Sequence, residues 1–161
     1  MKYLVLAMAI AACSPTQPES IIGISQIEDT RVSNSLNLVH SRNVTCLALN
    51  IYHEARGSSR LDQLGVASVT LNRVDSKRWP DTVCGVVYQP WAFSWTMDSL
   101  SDKPYNKEAY KKAKEIANGM IVGQLQRVTR ANHYYNPTHA SPKWSVGKPY
   151  KIIGSHKYLS L

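Results

Sequence analysis

The 161 residues, 43% of them hydrophobic, suffice for one domain with a real core and exclude two comfortable ones. A net charge of +8 points to a polyanionic partner, whether nucleic acid, anionic lipid or acidic cell wall, and excludes none of the three. Only three cysteines are present, too few for a dense disulfide scaffold and without zinc-ligand spacing.

Lys2 precedes an apolar run, Tyr3 to Ala12, too short to span a bilayer but suited to a secretory h-region. The run ends Ile10-Ala11-Ala12-Cys13, which resembles a bacterial lipobox in which Cys13 is lipidated. An ordinary cleaved signal, or a short anchor that is kept, stays open beside that reading, with Cys13 incidental. Each predicts an exported protein of the periplasm or cell envelope, with membrane anchoring through Cys13 in the first case. Residues 1–13 are therefore read as the signal segment. The polar stretch 14–42 has no sustained period and reads as a flexible linker. Residues 43–161 are expected to form a single folded domain that acts as a monomer.

Val44, Leu47, Ala48, Ile51 and Ala55 recur at helical spacing, which predicts a helix with one buried face. Asn50 and Glu54 flank that apolar stripe. Gly57 is placed to end the helix in a left-handed conformation. Glu54 thus falls in the last turn, where burial and the negative end of the helix dipole both push a carboxyl toward its neutral form. Ser59 and Asp62 make a capping-box start for a second helix that is apolar nearly all round and so central, with Leu61 and Leu64 on its inward side. Asn72 and Arg73 close it, either reaching the site or facing solvent.

Thr82 to Gln89 is β-prone and apolar. Gln89 to Thr96 concentrates Trp91, Phe93 and Trp95 among amide and hydroxyl groups, a composition suited to stacking on sugars, with plain core as the alternative. A third helix is predicted over Ser101 to Gly123, with Pro104 in its first turn and Tyr105 on its inward side; its lysines form a solvated face. Short β pieces follow at Val128 to Tyr135 and Tyr150 to Ile153. His133, His139 and His156 have no ligand-motif spacing. Cys46 and Cys84 remain as a bridge or as two buried thiols.

The runs Asn50-Ile-Tyr-His-Glu54-Ala-Arg-Gly57, Val66-Ala-Ser-Val-Thr-Leu-Asn-Arg-Val74, Trp79-Pro-Asp-Thr-Val-Cys-Gly-Val-Val-Tyr-Gln89, Phe93-Ser-Trp-Thr96, Asn132-His-Tyr-Tyr-Asn136, Ser141-Pro-Lys-Trp144 and Ile153-Gly-Ser-His156 resemble the SleB/CwlJ-type cell-wall hydrolases. The resemblance covers about Thr45 to Tyr158. It implies an α+β, mainly helical, lysozyme-like fold with a small sheet beside the cleft, and it places the catalytic acid on Glu54. It also implies peptidoglycan as partner. The export signal and the lysines scattered without a reading motif argue against nucleic acid, and the lack of any ligand set or phosphate loop predicts no cofactor or metal. Substrate-binding candidates are Tyr52, Phe93, Ser94, Trp95, Thr96, His133, Tyr134, Asn136 and Trp144. Members of the family often carry Glu directly after Arg-Gly, and here that position is Ser58. The expected chemistry is therefore that of a lytic transglycosylase, which works with one carboxylate, whereas ordinary glycosidases flank the bond with two. Asp98 and Asp102 remain as candidate second carboxylates. An amidase and a non-catalytic wall-binding lipoprotein are the alternatives.

Overall fold

The computed structural model describes residues 20–148 and 150–161, with side chains from residue 27 onward. The signal segment, Cys13 and the first part of the linker lie outside the described residues. The chain divides into two units, residues 1–36 and 37–161. Among the described residues no helix is long and apolar enough to cross a membrane.

Helix α1 runs Ser20–Ala55 and contributes to both units. The expected start near Val44 is thus some two dozen residues late. No glycine or proline interrupts residues 24–55, so nothing breaks the helix although its early part lacks an apolar stripe. Ile27, Val32, Leu36, Leu38 and Val39 are all exposed there. From Val44 the predicted face is buried, with Leu47, Ala48 and Ile51 fully so.

α1 ends without a left-handed glycine: Gly57 does not take positive φ. The Gln63 side chain instead donates to the carbonyls of Ala55 and Ser58, at 3.2 Å each. Helix α2, Arg60–Val74, starts at the predicted cap, where Ser59 Oγ accepts from the Asp62 N–H. Gly65 to Leu71 are buried without a gap, as a central helix requires, while Leu61 points to solvent.

The β-prone valines form helix α3, Val83–Val87, capped by the Thr82 hydroxyl on the Gly85 N–H. Burial of Val83, Val86 and Val87 outweighs their strand preference. Cys84 on α3 is bridged to Cys46 on α1, with the sulfurs 2.07 Å apart. Helix α4, Lys107–Ile121, begins later than expected, because the Asn106 side chain caps it. Pro104 and exposed Tyr105 precede it. Ala113, Ile116, Ala117 and Met120 pack into the main core with α1, α2 and α3.

The second β region is a three-stranded antiparallel sheet: β1 (His133–Tyr135), β2 (Lys151–Ile153) and β3 (His156–Leu159), in the order β1-β3-β2. β1 is shorter than expected because residues 128–132 bond to α2. Ser68 Oγ accepts from the Val128 N–H at 3.1 Å. Asn72 Nδ2 donates to the Thr129 and Ala131 carbonyls, and Arg73 Nε to that of Asn132. α2 thereby sets where β1 begins, and a smaller core of Val69, Ala131, Ile153 and Tyr158 closes between helix and sheet.

Candidate active site

α1 delivers Glu54 and β1 delivers Tyr134 to the same place, and the Tyr134 hydroxyl donates to Glu54 Oε2 at 3.0 Å. Burial raises the Glu54 carboxyl above its ordinary value of 4.5; the Tyr134 hydrogen bond and the charges of His156 and Arg73 pull back without cancelling it. Burial, and then Glu54 itself, push the Tyr134 hydroxyl well above its ordinary value, so it stays a neutral donor. This pairing is what a general acid requires: an acid poised upward and a partner that fixes its orientation.

A cleft of about 290 Å³ opens beside this pair, with Arg73 and Tyr134 in its wall and Trp79, Trp91, His133 and Trp144 around them. The His133 ring lies 5.3 Å from that of Trp144 and 6.1 Å from that of Trp79. Burial and the neighbouring Arg73 and Arg78 lower His133 to about 4, so it is uncharged at neutral pH. The predicted residues His133, Tyr134 and Trp144 thus come together.

Others of the predicted set serve the scaffold instead. Tyr52 is fully buried, and its hydroxyl accepts from the Asn106 N–H. Phe93 and Trp95 are 5% and 6% exposed. The Trp95 indole donates to Asn50 Oδ1 at 3.1 Å and stacks on His53 at 4.4 Å, while Asn50 Nδ2 donates to Thr70. These aromatic rings are core, because Asn50, one turn before Glu54, captures the indole N–H. Thr96 donates to the Phe93 carbonyl within its own turn, and Asn136 Oδ1 accepts from the Thr138 N–H. Ser94 is exposed. Asp98 is exposed too, with its carboxylate accepting from the Leu100 N–H. Of Asp102, the carbonyl accepts from His53 Nε2.

Sequence reasoning took Asp62 only as a cap, yet its fully buried side chain is the second carboxylate of this region. His156 Nδ1 donates to it at 2.9 Å, the Tyr158 hydroxyl at 2.6 Å, and Ser155 through both its N–H and its hydroxyl. Burial by itself would raise Asp62, but these bonds outweigh it and hold the carboxyl down at about 2. The Tyr134 ring packs edge-on against His156, with centroids 5.2 Å apart. Nothing local marks the Asp62–His156 pair, since its members lie 94 residues apart. Trp79 is a further lining residue that the sequence did not single out, and within the aromatic stretch 89–96 no periodicity separates exposed Trp91 from buried Trp95. Among the described residues no group of three or more His, Cys, Asp or Glu is placed to hold a metal.

The cell wall hydrolase family model matches residues 57–159. The spore cortex-lytic enzyme of Bacillus cereus is 34% identical over 132 residues, covering 81% of this chain and 48% of that protein. That of Bacillus subtilis is 31% identical over 130 residues, covering 80% and 41%. The chain thus spans about half the length of the curated relatives it matches. Among solved structures, the catalytic domain of the Bacillus cereus SleB protein aligns with a TM-score of 0.58 at 36% identity, covering 74% of this chain and 91% of that one. The catalytic domain of the germination-specific lytic transglycosylase SleB from Bacillus anthracis aligns at 0.56 and 31%, covering 73% and 93%. The fold is that of the SleB catalytic domain, and the chain belongs to the cell wall hydrolase family.

Proposed function

We propose that this protein cleaves the glycan of peptidoglycan between muramic acid and glucosamine as a lytic transglycosylase, with Glu54 as the single acid and base. Glu54 protonates the glycosidic oxygen as the bond from muramic acid C1 breaks. Its carboxylate then takes the proton of the C6 hydroxyl, whose oxygen closes onto C1 to give a 1,6-anhydro end without consuming water. Tyr134 holds Glu54 in both steps.

The observation that carries this reading is the contrast between two carboxyls. Glu54 is raised and accepts from Tyr134, whose side chain lines the cleft, whereas Asp62 is fully buried with its oxygens occupied by His156, Tyr158 and Ser155. A hydrolase with paired carboxylates needs both facing the bond, roughly 5 to 9 Å apart, and Asp62 has no oxygen to offer. The lytic transglycosylase activity named for the Bacillus anthracis relative agrees with it. Action on the wall implies export, in keeping with the bridged Cys46 and Cys84.

The test is digestion of purified sacculi followed by mass spectrometry of the fragments. New ends one water lighter than reducing ends are expected; ordinary reducing ends would overturn the transglycosylase assignment.

A further inference from the structure

The inner wall of the cleft holds a charge that acid–base chemistry at Glu54 leaves unspent. Arg73 is only 7% exposed. Its Nε is committed to the Asn132 carbonyl at 2.8 Å, and its guanidinium lies 5.4 Å from the Phe93 ring and 5.9 Å from that of Trp79. Among the described residues its two Nη nitrogens make no hydrogen bond. Among the described residues no fully buried side-chain nitrogen lacks a partner, so these nitrogens open onto the cleft that Arg73 lines. A desolvated cation with spare N–H donors is costly until an acceptor meets it. The rest of the lining offers no carboxylate, His133 is uncharged, and Glu54 is pushed toward its neutral form.

We infer that Arg73 recognises a carboxylate carried by the glycan, and that this group is the lactyl carboxylate of a muramic acid whose peptide has been removed. The guanidinium edge matches a planar carboxylate in two parallel N–H bonds. The aromatic walls suit the C–H faces of a pyranose, so the anion must be attached to a sugar. Of the two peptidoglycan sugars only muramic acid bears a carboxyl. The cleft of about 290 Å³ is at the small end of ligand pockets and suits one sugar ring rather than a sugar with its peptide. With the peptide in place the lactyl group is a neutral amide and a weaker partner for a cation. Hydrolysis of that amide is thus the class of reaction that supplies the preferred substrate. The inference rests on the glycan-cleaving function proposed above.

The test uses the full chain carrying Glu54→Gln, so that binding is read without turnover. Three ligands are titrated while the tryptophan indole N–H signals are followed by NMR: the glucosaminyl-muramic acid disaccharide, its lactyl methyl ester, and chitobiose. The free acid is expected to bind at least about tenfold more tightly than either neutral ligand, an advantage that Arg73→Lys reduces and added salt weakens. Equal affinity for acid and ester, or binding of none of the three, overturns the inference. The ester comparison alters the ligand rather than the protein, so it decides the matter even where Arg73→Lys misfolds. The glycan-cleaving function fails separately, if Glu54→Gln still lyses sacculi.

Discussion

Glu54 is an ordinary carboxyl made unusual by its neighbours. Replacing it with Gln keeps the shape and removes the proton, so lytic activity on sacculi should fall by at least about 100-fold, measured as loss of turbidity. Its raised folded-state value also has a sign in stability. The contribution is full below the ordinary carboxylate value and is lost as pH rises through the raised one. The Gln variant, unable to ionise, should therefore match the parent in thermal melts near about pH 4 and melt higher near about pH 8. Tyr134 acts in the opposite direction, since its hydrogen bond favours the ionised carboxyl. Tyr134→Phe should move the basic limb of the activity profile to higher pH while lowering the maximum rate; an unmoved limb would leave the hydroxyl without influence on the acid.

At the scale of elements, α2 organises the site more than α1 does. Its inner face packs both cores, and Ser68, Asn72 and Arg73 bind the backbone that leads into β1. Its N-terminal Asp62 ties it to β3 through His156 and Tyr158. The fit there is close: a Cβ on Gly65 would lie 2.5 Å from the Tyr158 hydroxyl, and one on Gly154, at φ +57°, 2.7 Å from the Asp62 side chain. Asp62→Ala leaves the buried donors of His156 and Tyr158 without an acceptor, and about 3 kcal/mol of stability should be lost in denaturant titration. The native pair also predicts acid sensitivity. Asp62 titrates at about 2, so its contribution is present above the ordinary carboxylate value and disappears as pH falls toward about 2. In Asp62→Asn that part of the acid transition should be absent.

For the whole molecule, the bridge between Cys46 and Cys84 closes a segment with a sequence separation of 38 that contains Glu54 and all of α2. Chain entropy assigns such a closure about 3 to 4 kcal/mol. Reduction, or the Cys46→Ser, Cys84→Ser double variant, should lower the melting temperature accordingly; an unchanged melting temperature would mean that the bridge adds nothing. The basic balance of the chain is carried in part by Lys107, Lys111, Lys112 and Lys114 on the exposed side of α4.

The sequence by itself determined the helix that carries Glu54 and the central character of α2, because apolar spacing and short motifs are local signals that burial must respect. It misjudged α3, where core packing overrode the strand preference of valine, and the start of α1, where a helix runs on because nothing breaks it. Only the tertiary structure decided which aromatic rings line the cleft and which are core. Trp95 turns inward because Asn50 takes its indole N–H, and Tyr52 because its hydroxyl caps a backbone group. It also decided that the second carboxylate of the region is Asp62, withdrawn by partners near the C-terminus. Hydrogen-bond partners separated by 45 to 96 residues leave no mark in spacing, since the chain brings them together only by folding.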